Sequence, residues 1–225
     1  MKKLTALSLV VLILSLFHGG CAVIARMGTP TSHEIKIPAQ YDISKNKGNK
    51  ILVLVEQPGW LNVQIDMRSY LTDSISRGIT QKTKIPAGQF IPYNKLSEYR
   101  SNTPNFASLS PVEIGKAMGA DIVLVVMIDD FQMSQLVDSG YYKAILDAKA
   151  ILFDSTTGVQ LWPAGEKGKI IKVGFEIEQG GRDIATSRLA AAAAYCTVRY
   201  FYNCPKDEFK IADDRSGVGF NEWKE

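Results

Sequence analysis

The distribution of apolar positions along the chain predicts several strands of two kinds. Continuous apolar runs at 51–55 and 122–128 are typical of strands buried on both faces. Apolar and polar residues alternate over 142–153 and 169–178, which predicts strands with one exposed face. The polar face of the last strand would carry Ile170, Lys172, Gly174, Glu176 and Glu178.

Helical spacing appears in three other segments. The first covers 63–78, where Met67, Leu71 and Ile75 share one face. A second begins at Ser110-Pro111-Val112-Glu113, which combines an N-cap serine, a proline at the first position and a capping-box glutamate. A third covers 183–202, and one face of it carries Ile184, Ala191, Tyr195, Val198 and Tyr202.

Turn signals connect these elements. Asp138-Ser139-Gly140 and Thr156-Thr157-Gly158 separate neighbouring strands, and 89–92 is a short strand candidate that Pro92 closes. Hairpin-linked strands beside a strand–helix unit predict an α/β fold, or α+β on a strict reading. We expect one mixed sheet of about five to six strands flanked by helices.

The amino-terminal residues indicate export and a lipid anchor. Lys2 and Lys3 precede an apolar stretch over 4–17, which is shorter than the ~20 residues of a membrane-spanning helix. Gly19-Gly20-Cys21 resembles the lipobox of bacterial lipoproteins, although His18 stands where an aliphatic residue is usual. That resemblance implies a signal peptide over 1–20, diacylglyceryl attachment at Cys21 and cleavage before it. Ala22 after the cysteine implies the outer membrane. The alternatives are an ordinary secretory peptide and a retained anchor.

The remaining chain divides into three parts. Residues 21–49 are polar and rich in turn formers, so they predict a flexible tether. The α/β domain then covers 50–202, and the charged stretch 203–225 is expected to be a loose tail.

Charge and residue content exclude several functions. The net charge is +3, and it falls to about +1 without Lys2 and Lys3, which argues against nucleic-acid binding. Only His33 remains after cleavage at Cys21, so a Ser-His-Asp triad or a multi-histidine metal site is not expected. The sequence has no nucleotide-binding glycine motif. We therefore predict no catalytic residues, no metal and no cofactor.

Four carboxylates are the best candidates against that prediction. Asp129 and Asp130 end a buried strand and could bind a hard cation with Asp147 or Asp154. Solvated or lysine-paired carboxylates are the favoured interpretation. Glu176 and Glu178 could form a glycosidase-like pair, but neighbours on an exposed strand face are the favoured interpretation. Ser44-Lys45-Asn46-Lys47 matches the S-x-x-K pattern of some serine enzymes only formally, because it lies in the predicted tether.

Aromatic residues and cysteines leave two further questions. Trp60, Trp162 and the tyrosines at 195–202 could line a sugar or peptide groove, whereas buried packing is the favoured interpretation. Cys196 and Cys204 could form a disulfide in an oxidising compartment. That bond requires the helix to stop near Tyr200 and the chain to fold back.

The motifs together resemble one group of bacterial envelope lipoproteins. The run at 51–55, Gly119-Ala120-Asp121 before a long strand, and the Asp154-to-Trp162 segment with Thr157-Gly158 are similar to the LpoB and CsgG type. These proteins share a small α/β domain related to the TolB amino-terminal domain. The resemblance covers about 50–202, and it implies an accessory role that activates an envelope enzyme or assembles with an envelope machine.

These observations predict a non-catalytic, lipid-anchored envelope protein. Its expected contacts are the membrane, through acyl chains on Cys21, and another envelope protein, with self-association left open. Binding would use a sheet edge or the hairpin at Ser139-Gly140. The alternatives are an envelope hydrolase acting through Asp129, Asp130, Glu176 or Glu178, and a ligand-binding lipoprotein that uses Trp60 or Trp162.

Overall fold

A computed structural model describes residues 35–46, 48–61, 65–137, 141–177 and 180–209. The predicted signal peptide, Cys21, His33, the predicted turn at 138–140, Glu178 and the chain from residue 210 lie outside the described residues. The helices and strands, in chain order, are β1 (Lys36–Ile37), β2 (Ile51–Glu56), α1 (Met67–Thr83), α2 (Tyr93–Asn102), α3 (Pro111–Met118), β3 (Ile122–Val137), β4 (Tyr141–Asp154), β5 (Gln160–Trp162), β6 (Lys169–Ile177), α4 (Gly181–Val198) and β7 (Cys204–Pro205).

The main sheet is mixed, as predicted, and has five strands. β2 and β3 are parallel, β3 and β4 are antiparallel, and β4 then pairs along one side with both β5 and β6. A separate two-stranded sheet joins β1 to β7 in antiparallel order. The α/β fold class is therefore confirmed.

Two hydrophobic cores lie on opposite faces of the sheet. The first core joins α1 and α4 to β2, β3, β4 and β6. The second core is smaller and joins α2 and α3 to β2 and the beginning of β3. Successive residues of β2 alternate between the two cores, so the strand is buried on both faces, as its apolar run predicted. In the described part of the chain, no helix is long and apolar enough to span a bilayer.

The polar signals around α3 and the turn after β4 are confirmed. The Glu113 carboxylate accepts a hydrogen bond from the Ser110 N–H at 2.7 Å, and the Ser110 hydroxyl accepts one from the Glu113 N–H at 3.2 Å. Gly119 ends the helix with φ of 69°, a left-handed conformation that favours glycine. Asp154 accepts the backbone N–H groups of Thr156 and Thr157, both at 2.8 Å, and so forms the predicted turn.

Two predicted elements differ from the structure. The strand at 89–92 is wrong, because only Phe90 bridges to Ile51 and a short 3-10 helix, Ala87–Gln89, precedes it. The last helix ends at Val198 instead of residue 202, and its buried face is not the predicted one. Ile184 is exposed, whereas Ala185, Leu189 and Cys196 are buried. The alanine run caused this error, since small apolar residues on every side give no periodic contrast.

The predicted boundaries of the tether and the tail are also wrong. Residues 35–46 lie against the domain: β1 pairs with β7, and Ile43 is completely buried in the first core. Residues 203–209 are equally part of the folded unit, because they contain β7 and a helical turn. A short polar segment can thus dock when its few apolar residues find a complementary surface.

The terminal segments meet around one buried arginine at the end of α4. Arg199 donates a hydrogen bond to the Phe209 carbonyl and another to the Tyr200 hydroxyl, both at 2.8 Å, and its guanidinium stacks on both aromatic rings. The Tyr200 carbonyl accepts the N–H groups of Gln40 and Tyr41. These contacts join 35–46 and 203–209 into what we name the terminal clasp.

We expect two amino-terminal truncations, one ending before the terminal clasp and one removing part of it, to differ in their effect on stability. Removing 1–34 should leave the free energy of unfolding within about 0.5 kcal/mol, whereas removing 1–46 should lower it by at least about 2–5 kcal/mol, because buried Ile43 is lost. Urea denaturation of the two variants measures this difference. Equal midpoints would contradict the docking of 35–46.

Candidate docking surface

The candidate surface arises because β3 is much longer than β2. Their pairing ends at Glu56 and Met127, and β3 continues to Val137 with β4 alone beside it. β6 pairs with the same part of β4 on its other side. Beyond the end of β2, the sheet therefore has three antiparallel strands, β3, β4 and β6, which we name the arm.

The two faces of the arm have different surroundings. One face carries side chains of the first core, among them Phe131, Leu146 and Val173, and α4 packs on it. None of the described residues on the opposite face belongs to either core. We name this opposite surface the open face; its described side chains are Asp130, Gln132, Ser134, Lys143, Ile145, Asp147, Lys149, Ile170, Lys172 and Gly174.

The open face is ordered in rows that cross the three strands. Asp130 lies opposite Asp147, which lies opposite Lys172, and the Lys172 ammonium is 3.1 Å from the Asp147 carboxylate. Lys149 reaches Asp129, an unpaired position of a β-bulge, at 2.8 Å. These ion pairs are largely exposed, so each contributes at most about 1 kcal/mol to stability.

Two isoleucines of the open face lie on either side of the row that contains Asp147 and Lys172. Ile170 is 60% exposed, and Ile145 is half-buried in the neighbouring strand. Gly174 lies opposite Ile145, and a Cβ atom there would meet only the Ile145 Cγ1 and the Ala144 carbonyl, both at 3.6 Å. The glycine therefore leaves a shallow notch in which backbone or a side chain from another molecule can approach the sheet.

The structure brings together three of the four aspartates considered for a cation site. Asp129, Asp130 and Asp147 lie in neighbouring positions of the arm, whereas Asp154 is at the opposite end of β4. Among the described residues, no group of three or more carboxylate, histidine or cysteine side chains has the arrangement of a metal site. The Asp154 carboxylate accepts hydrogen bonds within its own turn. These bonds lower the pKa of Asp154; the bond from the Thr157 N–H has the largest effect, followed by those from the Thr157 hydroxyl and the Thr156 N–H.

The other candidates are separated from one another. Glu176 lies opposite Lys143 in the strand register, while Glu178 is outside the described residues. Trp60 is 71% exposed in the loop after β2, so the prediction of buried packing is wrong for this residue. Ser44 donates a hydrogen bond to the Asp42 carboxylate at 2.6 Å in a short 3-10 helix, and Lys47 of the S-x-x-K pattern lies outside the described residues.

Trp162 does not line a groove. It is buried, packs against Tyr200 and Phe201, and donates its indole N–H to the Gln40 side chain at 2.9 Å. Tyr195 is half-buried and donates its hydroxyl proton to the Glu208 carbonyl. These aromatic residues hold the terminal clasp together, as the packing interpretation expected.

Cys196 and Cys204 are both buried, and the structure holds them as thiols. Burial raises the pKa of the Cys204 thiol, which donates a hydrogen bond to the Tyr202 hydroxyl at 3.3 Å. The helix stops at Val198 and the chain folds back through β7, which meets the requirement for a bond between these cysteines. The disulfide stays a prediction.

Sequence reasoning found the polar face of β6 but missed its neighbours. Alternation in 169–178 identified Ile170, Lys172 and Gly174 as exposed. Gln132 and Ile145 were missed, because their place beside Gly174 depends on the register across the bulge at Asp129. A bulge of this kind leaves only one weak signal, the consecutive polar pair Asp129-Asp130.

Ile170 and Ile171 form a matched pair for testing which face is structural. Ile171→Ala should lower the free energy of unfolding by about 2–5 kcal/mol, because its side chain is buried in the first core. Ile170→Ala should change it by less than about 0.5 kcal/mol. Chemical denaturation of both variants gives the comparison, and an equal loss for both would mean that the open face is covered within the monomer.

No protein-family model and no curated protein matches the chain. Several solved structures are similar. Lipoprotein GNA1162 from Neisseria meningitidis is 18% identical with a TM-score of 0.42, and the match covers 64% of this chain and 94% of that one. The PelC dodecamer from Paraburkholderia phytofirmans is 14% identical with a TM-score of 0.42, covering 70% and 89%. The LpoB C-terminal domain from Salmonella enterica is 15% identical with a TM-score of 0.30, covering 64% and 86%. The chain is thus similar in structure to bacterial lipoproteins, at the level of a distant likeness of fold.

Proposed function

We propose that this protein is a non-catalytic lipoprotein of the bacterial cell envelope whose open face binds another envelope protein. Acyl chains on Cys21 hold it at a membrane, which the residue after the cysteine, Ala22, indicates to be the outer membrane. The domain faces the periplasm. The observation that carries this proposal is the open face itself, where Ile170, Ile145 and the Gly174 notch lie among rows of paired charges.

The position of the terminal clasp supports this arrangement. The Ile35 carbonyl accepts the Lys206 N–H at 2.8 Å, and Gln40 contacts Trp162 near the end of β4. The chain from the anchor therefore enters at the end of the sheet opposite the β3–β4 connection. Ile35 follows Cys21 by fourteen positions, so an extended tether would span at most about 50 Å. The arm would project away from the membrane, toward the periplasm.

The chemistry of the open face suits binding better than catalysis. Asp129 and Asp147 each have a lysine partner, at 2.8 and 3.1 Å, and Asp130 accepts a hydrogen bond from Gln132 at 2.9 Å. Apolar side chains among polar and charged groups are the usual composition of a non-obligate protein interface. The expected partner therefore presents apolar side chains of its own among groups of both charges.

Site-specific photo-cross-linking in cells tests the surface. A photoreactive residue at Gln132 or Ile170, in the full-length chain, should link to a protein of defined mass. The same residue at Lys95, which is exposed on α2, is the matched control and should not give that product.

Identical products from all three positions, or none from the open face, would contradict the proposed surface. Loss of cellular function in Asp130→Asn with unchanged cross-links would favour the alternative, an envelope hydrolase.

A second prediction concerns the anchor. Cys21→Ser should abolish incorporation of a labelled fatty acid and move the protein from the membrane fraction to the soluble fraction, because acyl chains supply the membrane affinity. Cys204→Ser, at a buried cysteine of the folded domain, is the control and should keep the label. Label retained in Cys21→Ser would show that anchoring uses another residue.

A further inference from the structure

β6 (Lys169–Ile177) has one open edge. The strand pairs with β4 along its whole length without a bulge. Within the described part of the chain, no strand and no backbone hydrogen bond reaches its other edge. Nine regular residues without a proline make this edge a site at which another strand can add. The part of β3 beyond β2 is less suitable, because the bulge at Asp129 interrupts it.

The hydrogen bonds of β4 show which residues of β6 face outward. At the end of β4, the Ser155 N–H donates to the Asp121 carbonyl, so odd-numbered residues of β4 bond to β3. The Asp154 N–H donates to the Val159 carbonyl, so even-numbered residues of β4 bond toward β5 and β6. Their partners in β6 are odd-numbered, which leaves the N–H and C=O groups of the even-numbered residues at the open edge. These residues are Ile170, Lys172, Gly174 and Glu176.

The outward residues of β6 form a charge pattern that is complementary to itself in antiparallel order. Lys172 lies two residues before Gly174, and Glu176 lies two residues after it. When two copies of β6 pair antiparallel with Gly174 opposite Gly174, Lys172 of each copy lies opposite Glu176 of the other. A pairing centred on Lys172 would instead place two like charges opposite each other.

We propose that this protein forms a two-fold symmetric dimer through β6, with the pairing centred on Gly174. The arms of the two copies join into one six-stranded antiparallel sheet. The two-fold axis is perpendicular to that sheet, so both open faces lie on the same side. Because each copy contributes the same edge, the contact closes as a dimer. Neither β2, at the opposite edge of the sheet, nor β5, which pairs with β4 at Leu152 and Phe153, occupies the seam.

The helix layer fits the same two-fold axis. α4 (Gly181–Val198) packs on both β4 and β6, so its axis lies above the space between these strands. With strands about 4.8 Å apart, the α4 axis is about 5 Å from the seam, and the α4 helices of the two copies are about 10 Å apart. Helices pack against each other at about 8–10 Å. The two α4 helices would therefore meet above the seam.

The side of α4 that would form this contact is exposed in a single copy. Ile184 is 44% exposed, and Ala191 is exposed on the same side of the helix, with Arg188 at its border. The buried side, which includes Leu189, contacts the sheet and α1. The exposed strip consequently points away from α1, above the open edge of β6. A second α4 helix accounts for the apolar spacing of Ile184 and Ala191, which the first core does not use.

The size of the contact predicts a weak dimer. Seven paired residues, 171–177, at about 3.4 Å each give a seam about 24 Å long. The sheet and the helix layer together are about 20 Å thick, so each copy would bury on the order of 500 Å². The total of about 1,000 Å² is at the lower limit of a specific interface. Anchoring both copies in one membrane raises their effective concentration and favours such a contact.

The two-fold axis also determines how the dimer lies on a membrane. The clasp ends of the two copies are at opposite ends of the six-stranded sheet. With the proposed anchors at Cys21, both tethers reach one membrane when the axis is normal to it. The strands of the dimer then lie along the membrane surface, and the upright arm belongs to the single copy. The open faces form one surface of double area.

Disulfide cross-linking of the full-length chain in membranes tests the pairing. In the proposed register, the Cα atoms of the two Gly174 residues are about 5.5 Å apart, within the range of a disulfide. A Cβ atom at Gly174 would have only ordinary contacts, at 3.6 Å. We expect Gly174→Cys to give a disulfide-linked dimer after addition of a mild oxidant. The unchanged chain, which keeps its native cysteines, gives the background.

Lys172→Cys is the matched control on the same strand and the same face. In the proposed register the two Lys172 positions are four residues apart along the seam, more than about 13 Å, so this variant should not form the dimer. Gln132→Cys, on the open face of β3, should not form it either.

A charge exchange adds a second measurement. In the Gly174→Cys chain, Lys172→Glu should reduce the dimer yield at least about fivefold, because a carboxylate would then face Glu176 of the other copy. Adding Glu176→Lys should restore the yield. Lys149→Glu is the matched control: it also removes an ion pair of the open face, but it lies on β4, away from the seam, and should leave the yield unchanged. Circular dichroism checks that each variant is folded.

Three outcomes would overturn the inference: no dimer from Gly174→Cys, an equal yield from Lys172→Cys, and a folded charge-exchange variant whose yield is not restored. If photo-cross-links from Gln132 to a different protein persist without the Gly174→Cys dimer, the inference fails and the proposed function stands. The dimer without any such cross-link supports the inference and contradicts the proposed function.

Discussion

The difference in length between β2 and β3 determines the architecture of this protein. β2 has six residues and β3 has sixteen, and both begin at the same level of the sheet. Where β2 is present, helices cover the sheet on both faces, because α2 and α3 need the alternate side chains of β2 for their core. Beyond Met127, β2 is absent and supplies no side chains to that second core. The arm is consequently a sheet covered on one face, and everything proposed about binding follows from it.

The terminal clasp organises the other end of the domain. Arg199 is buried among aromatic rings and carbonyl groups, and its hydrogen bonds tie the segment after α4 to the end of that helix. The same segment pairs with β1, the first strand that the structure describes. With the proposed anchor at Cys21, attachment and docking would lie at opposite ends of one sheet.

Local signals in the sequence were sufficient where short-range chemistry decides the structure. The capping box at Ser110 and Glu113, the turn at Asp154 and the buried run of β2 depend on neighbours within a few residues, and all were predicted. Ile43 could not be predicted as a core residue, because it is a lone apolar side chain in a polar segment whose partner surface exists only after folding. The phase of α4 was missed since its alanines are buried on several sides.

The open face was predicted only in part for a related reason. Alternation identifies which side chains of a strand share a face, but it does not give the register between strands. The bulge at Asp129 shifts that register by one residue and so places Asp130 opposite Asp147. Fold class, strand content and the exposed face of β6 therefore follow from the sequence, whereas the rows that join three strands into one surface require the structure.

The central claim is that the arm is covered by protein when the chain is at its membrane. Hydrogen–deuterium exchange of the full-length chain, in native membranes and after dilution in detergent, measures this most directly. We expect slower exchange in membranes for peptides covering 128–134 and 169–174, with unchanged exchange in α2 (Tyr93–Asn102). Equal exchange of the arm in both conditions would contradict the account.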